Sequence, residues 1–332
     1  MAEWNREWAS EQWQAGVREW ISMVLDTYSL AQTGPLEQKR IRLWSTQIVV
    51  PTDHGRLYFK ANNPGQQGEA SVTATAANLA PEQLVMPLAI EPARGWMISP
   101  DYGDTLTSLP STDYQLWVRL VCDFARLQLE LVPFGDTLFD AGLLHMDPAW
   151  LPAYIDEQLV LHASMPPEHP LHLPARDAED LHRQLDVIHG MCDYLAAGPV
   201  PLTLEHNDLH RNNTFLPSTP DEPLRFMDLG DAYWAHPFSS LGRPIAAMCE
   251  ELGTTPSDPR IRRVVTAYLE QWREYGTVEQ LRPYVEPALR IGKMQAHGTW
   301  MRILSGADED ELRRYAHLTL RPLAELIQPV LG

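Results

Sequence analysis

The chain has 332 residues, of which 44% are hydrophobic, so it is long enough for one large domain or for two with a substantial core. Its formal net charge of −18 at pH 7 argues against a nucleic acid or an anionic membrane as a partner. The acidic balance suits a cationic small-molecule substrate, and it equally suits a protein that is only highly soluble. No run of 18 or more apolar residues occurs, so no transmembrane helix is predicted.

The N-terminal residues and the cysteines both indicate a cytoplasmic location. The sequence begins MAEWNREWASEQW, which is polar, rich in tryptophan and without the apolar core of a signal peptide. Cys122, Cys192 and Cys249 are far apart, and each lies in a stretch with a helical pattern. This spacing favours reduced thiols over a disulfide or a zinc site. The sequence does not indicate an oligomeric state.

The first hundred residues predict a helix followed by a small antiparallel sheet. Apolar residues recur at helical spacing over residues 4–26, which predicts one amphipathic helix packed on that sheet. β-forming residues in 40–51 and 56–61 flank a turn with the sequence DHG and predict a β-hairpin. Two more strands are predicted over residues 84–91 and 95–99.

A lysine inside the second hairpin strand and a glutamate at the start of the next helix are candidates for function. Lys60 has apolar neighbours in the chain, where a lysine either faces an anion or protects an exposed sheet edge. Glu69 opens the helix predicted over residues 69–79, where a carboxylate also suits the helix dipole. The patterns G-x-G-x-x-G and G-x-x-x-x-G-K-[ST] are both missing, which excludes a Rossmann or P-loop assignment.

After residue 100 the predicted strands give way to predicted helices. The segment PDYGD breaks the chain at residues 100–104, and we place a domain boundary near residue 102. The acidic run 308–311 either holds substrate ammonium groups or forms a solvated helix start. Helices are predicted over residues 114–131, 148–161, 177–197, 239–251, 260–275, 281–300 and 309–326.

Two polar loops in the second half of the chain carry the strongest chemical signal. Apolar strands are predicted over residues 202–205 and 224–228, and each leads into one of these loops. The first loop holds Asp208 and, five positions later, Asn213, whereas the second begins at Asp228. A carboxylate can accept a hydroxyl proton, and amide and carboxylate oxygens suit Mg²⁺ while leaving positions for phosphate oxygens. The pattern is typical of a Mg²⁺–nucleotide site.

The segment HNDLHRNN resembles the H-x-D-x-x-x-x-N catalytic loop of aminoglycoside phosphotransferases and choline kinases, and MDLGDA resembles their metal-binding segment. This resemblance implies an α+β, two-lobed protein-kinase-like fold. Its N-lobe, residues 1–102, would be a small antiparallel β-sheet with helices, and its C-lobe, residues 103–332, would be mainly helical. The implied activity is the transfer of the γ-phosphate of ATP to a hydroxyl group of a small molecule.

The resemblance also implies roles for the residues of the two loops. Asp208 would orient the attacking hydroxyl and take its proton, and Asn213 and Asp228 would hold Mg²⁺. Arg211 is assigned a catalytic role, in which its guanidinium offsets charge on the transferred phosphoryl group. A surface salt bridge is an equally good account of Arg211. Asp231 supports the metal, binds substrate or caps a helix, and the sequence leaves these alternatives open.

Three residues of the N-lobe are assigned to the nucleotide by the same resemblance. Lys60 would bind the α- and β-phosphates of ATP, and Glu69 would orient it. Ser99 ends the strand before the lobe linker, whose backbone would bind adenine.

The resemblance leaves the acceptor open. An antibiotic such as an aminoglycoside is one candidate, and choline, another amino alcohol or a sugar is the alternative. A non-catalytic nucleotide-binding protein and a metal-dependent hydrolase are the other classes that we consider.

Overall fold

The N-terminal part of the chain forms an antiparallel sheet with helices, in a computed structural model that describes residues 2–110 and 113–331. The five strands are ordered β1-β2-β3-β5-β4, and each neighbouring pair is antiparallel. The expected β-sheet of the N-lobe is therefore confirmed. The elements are α1 (Glu3–Trp8), α2 (Glu11–Thr27), β1 (Glu37–Ile41), β2 (Ser45–Thr52), β3 (Gly55–Asn62), α3 (Glu69–Leu79), β4 (Ala89–Glu91) and β5 (Trp96–Pro100).

The register of the β2–β3 hairpin sets the direction of Lys60. Lys60 pairs with Gln47 on one side and with Met97 on the other. Because side chains alternate along a strand, its neighbour Phe59 faces the opposite way. Phe59 is fully buried against α2, with its ring centroid 6.1 Å from that of Trp13. Lys60 therefore lies on the sheet face that points away from α2.

Some predicted elements of the N-lobe are divided or shorter in the structure. The helix expected over residues 4–26 is α1 and α2, because the Ser10 side chain accepts a hydrogen bond from the Trp13 amide and starts a new helix. The strand expected over residues 40–51 is β1 and β2, joined by a tight turn in which the Arg42 amide donates to the Ser45 carbonyl. The strand expected from residue 84 begins only at residue 89.

The remainder of the chain is mainly helical, as expected, and carries small sheets ordered β6-β10-β7 and β8-β9. Within residues 2–110 and 113–331, no helix is both long and apolar enough to cross a membrane. The elements are α4 (Tyr114–Leu131), α5 (Gly135–Asp140), β6 (Leu144–Met146), α6 (Leu151–Ser164), α7 (Ala175–His182), α8 (Leu185–Ala196), β7 (Thr203–Glu205), β8 (Thr214–Phe215), β9 (Arg225–Phe226), β10 (Tyr233–Ala235), α9 (Gly242–Leu252), α10 (Pro259–Gln271), α11 (Val278–Leu281), α12 (Val285–Ile291), α13 (Lys293–Leu304) and α14 (Glu309–Ala324).

Two helices expected in this part of the chain are also divided. The helix expected over residues 177–197 is α7 and α8, and it breaks where the Gln184 amide donates to the Leu181 carbonyl in a tighter turn. The helix expected over residues 281–300 is mainly α12 and α13, which meet at Gly292. An added Cβ at Gly292 would lie 2.6 Å from the Cβ of Ser239, so this junction depends on a residue without a side chain.

The hydrophobic core contains a cluster that joins the two ends of the chain. This cluster combines α2 and the N-terminal sheet with Ile303 and other residues of the last two helices. The contact is close at Gly65, where an added Cβ would lie 2.3 Å from the carbonyl oxygen of Arg302. The Asn63 side chain also donates to the Ile303 carbonyl across 3.1 Å. The last helices thus hold the segment before α3 in place.

Candidate active site

The loop after β7 turns sharply because one of its residues has a left-handed backbone. Asn207 has a φ of 60°, and its amide donates to Oε1 of Glu205 across 2.9 Å. His206 is buried, and its Nε2 lies 2.9 Å from the Met227 carbonyl oxygen. These contacts tie the loop to the second polar segment, so the side chain of Asp208 projects from a fixed turn.

The carboxylate of Asp208 is surrounded by nitrogen atoms. Asn213 Nδ2 lies 3.1 Å from the Asp208 carbonyl oxygen and 3.2 Å from Oδ2. His210 Nε2 is also 3.2 Å from Oδ2, whereas Arg243 Nε donates to Oδ1 across 3.2 Å. Because Asp208 uses the amide nitrogen of Asn213, the amide oxygen Oδ1 is left for another partner.

The second loop brings Asp228 next to Lys60 and Glu69. Lys60 Nζ is 2.5 Å from Oδ1 of Asp228 and 2.8 and 2.7 Å from the two carboxylate oxygens of Glu69. Asp228 has a φ of 69°, an unusual conformation for a residue other than glycine. The Met227 amide donates to the Asn213 carbonyl across 3.1 Å, which holds the two loops together.

The charges in this cluster determine the ionisation of its members. Burial acts to lower the pKa of Lys60, but the carboxylates of Asp228 and Glu69 outweigh it and hold that pKa above its usual value. Burial acts to raise the pKa of Asp228, yet the Lys60 ammonium holds it below its ordinary range. Lys60 and Asp228 therefore face each other as a charged pair at neutral pH.

A cleft of about 300 Å³ lies between the lobes and reaches this charged cluster. Its polar lining includes Lys60, Glu69, Asn213 and Asp228, and Ser99 lines it near the lobe linker. Apolar side chains from both lobes cover another part of it, namely Val85, Met97, Phe215 and Met227. The cleft therefore offers an apolar slot for a flat group together with charged groups for an anion.

The structure does not bring Arg211 to this cluster. Its guanidinium is buried and donates to the carbonyl oxygen of Leu106 across 2.7 Å and also to that of Leu109. The catalytic role expected for Arg211 does not fit this position, because its donors are turned into the C-lobe. The salt bridge considered as the alternative exists, with Glu251 at 2.8 Å, but the arginine is buried rather than on the surface.

Other polar residues reach the site from segments without a recognisable motif. Arg40 of β1 lines the cleft. The sequence has no glycine-rich loop like the one that covers the phosphates in protein kinases. Gln66 donates from the segment before α3 to Asp231 and so links the lobes. Burial, with the charges of Asp228 and Asp208, raises the pKa of Asp231 to about 7. Only spatial contacts associate Arg40 and Gln66 with the two loops.

The acidic run 308–311 has a local structural role. The Asp308 side chain accepts a hydrogen bond from the Glu311 amide and caps α14. No residue of this run lines the cleft. The run therefore fits the helix start that the sequence offered as one of its two interpretations.

The architecture is that of the two-lobed protein-kinase-like fold. No protein-family model and no curated protein matches the sequence. Solved structures share its shape. A macrolide 2′-phosphotransferase type I superposes with a TM-score of 0.59 and 14% identity, covering 94% of this chain and 97% of its own. An ethanolamine kinase of Plasmodium vivax gives a TM-score of 0.60 and 12% identity, with coverages of 89% and 82%.

A choline kinase from Cryptosporidium parvum is a third neighbour, with a TM-score of 0.56 and 13% identity over 88% of each chain. These neighbours belong to the group of small-molecule kinases that the loop motifs resemble. The shared architecture confirms the expected fold.

Proposed function

We propose that the protein is an ATP-dependent kinase that phosphorylates a hydroxyl group of a small molecule. One observation carries this proposal. The Lys60–Glu69 pair of the N-lobe meets the Asp228 loop of the C-lobe at a single interlobe cleft, and the Asp208 loop reaches this cleft through Asn213. Such a cleft supplies the positioning and charge compensation on which phosphoryl transfer depends.

In this proposal each end of the cleft binds one part of ATP. The apolar slot that includes Val85 and Phe215 takes the adenine ring, near Ser99 and the linker. Lys60 binds the α- and β-phosphates, and Glu69 holds its ammonium in position through both carboxylate oxygens. Arg40, the arginine of β1, also lines the cleft, and its guanidinium is a second cationic group for the phosphates.

Asn213 and Asp228 fit a Mg²⁺ ion by their chemistry. Asn213 contacts Asp208 through its amide nitrogen and not through its amide oxygen. Asn213 and Asp228 line the same cleft. Mg²⁺ prefers oxygen ligands and binds at nucleotide sites through one or two side chains, with phosphate oxygens and water completing its shell. When bound, the ion neutralises charge on the β- and γ-phosphates.

Asp208 is proposed as the group that receives the acceptor hydroxyl. Its carboxylate is 36% exposed and projects from a turn held by the Glu205–Asn207 contact. It accepts the hydroxyl proton as the oxygen attacks the γ-phosphorus. An antibiotic is the acceptor we test first, because the macrolide phosphotransferase covers nearly the whole chain. An amino alcohol such as choline or ethanolamine is second.

The experiment is a screen for ADP release from ATP and Mg²⁺ with hydroxylated compounds: macrolides, aminoglycosides, amino alcohols and sugars. We expect release with one class of compound, and loss of it in Asp208→Asn. Asp221→Asn, at an exposed loop carboxylate, is the matched control and should keep the activity. Binding of ATP without transfer to any compound would favour a non-catalytic protein. Ester or phosphate hydrolysis without ATP would favour a hydrolase.

A further inference from the structure

Arg243 is a charged partner of the proposed base, and no motif predicts it. It lies in the first turn of α9, 35 positions after Asp208, and its Nε donates to Oδ1 of that carboxylate across 3.2 Å. The two side chains are 42% and 36% exposed. Ion pairs as exposed as this one contribute little to stability. The fold therefore does not explain why an arginine stands against this carboxylate.

The contact between Arg243 and Asp208 interferes with the role of Asp208 as proton acceptor in the proposed reaction. A guanidinium on Oδ1 occupies an oxygen that could receive the hydroxyl proton. The pair therefore has to open before an acceptor hydroxyl can dock on that oxygen. An opened pair leaves a mobile cation beside the reacting groups.

The guanidinium of Arg243 also has hydrogen-bond donors that are not used. Nε is bound to Asp208, whereas Nη1 and Nη2 make no hydrogen bond to any residue in 2–110 or 113–331. A guanidinium presents its donors as a planar fork that matches two oxygens of a phosphoryl group. Arg243 can therefore exchange one carboxylate oxygen for a bidentate contact with phosphate.

Two other arginines near the loops are held by protein groups. Arg211 is buried and bonded to carbonyl oxygens of the C-lobe. Arg302 donates to the Gly65 carbonyl across 3.1 Å, and its guanidinium lies 5.0 Å from the ring centre of Tyr233. Neither can turn to the cleft without breaking these contacts, so Arg243 is the best placed of the three.

We propose that Arg243 leaves Asp208 when Mg²⁺–ATP binds, before the acceptor docks, and that its guanidinium then binds oxygens of the γ-phosphoryl group. This inference rests on the proposed kinase function. In the transfer, the acceptor oxygen bonds to the γ-phosphorus and the bond from phosphorus to the β–γ bridging oxygen breaks. ADP leaves with that oxygen, and the hydroxyl proton passes to Asp208. Arg243 offsets the negative charge on the group in transit.

The test compares two nucleotides and needs no knowledge of the acceptor. We would measure the Kd of Mg²⁺–β,γ-imido-ATP and of Mg²⁺–ADP by isothermal titration calorimetry. Arg243→Ala should raise the Kd of the triphosphate analogue about tenfold and change the Kd of ADP by less than about twofold, because only the analogue carries a γ-phosphoryl group. Arg243→Lys should show an intermediate loss, since it keeps the charge but not the fork.

Arg273→Ala is the matched control, because it removes an exposed arginine that pairs with Glu270 at 3.4 Å rather than with a residue of the two loops. It should change neither Kd. Equal losses for both nucleotides in Arg243→Ala, or no loss for either, would overturn the role given to Arg243 while leaving the kinase proposal intact. Failure of the unaltered protein to bind either nucleotide would instead overturn the proposed function. Thermal unfolding of each variant verifies that the fold is retained.

Discussion

Glu205 supports the turn before Asp208, and replacing it with glutamine should change how stability depends on pH. The residue is 1% exposed at the end of β7. Its Oε1 accepts from the Asn207 amide, and its Oε2 has no hydrogen-bond partner among the described residues. Burial, opposed by the Asn207 hydrogen bond, raises the pKa of Glu205 from 4.5 to about 7.

The magnitude follows from the difference between the two pKa values. Between pH 4.5 and pH 7 the folded protein holds a proton on Glu205 that the unfolded chain has released. The free energy of unfolding contributed by this group therefore falls as pH rises through that range. From pH 5 to pH 8 the loss is about 2–3 kcal/mol. Glu205→Gln removes this loss, because a glutamine stays neutral at both pH values.

The assay is urea unfolding followed by tryptophan fluorescence at pH 5, 6, 7 and 8. Relative to the unaltered protein, Glu205→Gln should gain about 2–3 kcal/mol of stability between pH 5 and pH 8. Glu168→Gln, at an exposed position, should follow the unaltered protein at every pH. Stability curves for Glu205→Gln that run parallel to those of the unaltered protein would refute the burial of this carboxyl group beneath the loop that carries Asp208.

Three further changes test separate parts of the structure. Gly65→Ala should lower the unfolding free energy by about 1–3 kcal/mol in urea titrations, because its Cβ would meet the Arg302 backbone; an unchanged midpoint would contradict that contact. Arg211→Ala should lower the unfolding free energy by about 3–5 kcal/mol, since it leaves buried carbonyl oxygens and Glu251 unpaired. A variant that is fully stable but inactive would instead support the catalytic role first expected for Arg211. Arg40→Ala should raise the Kd of ADP about tenfold in calorimetry and leave the Kd of adenosine unchanged. Equal changes for both ligands would exclude a contact between Arg40 and the phosphates.

Sequence patterns were sufficient for the fold and for much of the proposed site. The alternation along β3 places Lys60 opposite the buried Phe59, as a hairpin with one covered face requires. The two polar loops indicated Asp208, Asn213 and Asp228 as candidates, since strand ends followed by oxygen ligands form a recognisable local pattern. Both kinds of signal come from residues that are close together in the chain.

Other features could not be predicted from local sequence, because they depend on long-range packing. Arg211 lies in the motif, yet the short helical turn at Arg211–Asn213 directs its side chain into the core. Arg243 is distant in sequence from Asp208 and reaches it only through the position of α9. The helix expected over residues 4–26 is divided by Ser10, whose capping role competes with a continuous apolar pattern.

The most direct test of the central proposal is a crystal structure with β,γ-imido-ATP and Mn²⁺, which replaces Mg²⁺ and gives an anomalous signal. We expect the anomalous peak between Oδ1 of Asn213 and the carboxylate of Asp228, with the adenine ring against Val85 and Phe215 and the phosphates beside Lys60. A nucleotide bound elsewhere, or a metal peak that touches neither Asn213 nor Asp228, would contradict the assignment of this cleft to phosphoryl transfer.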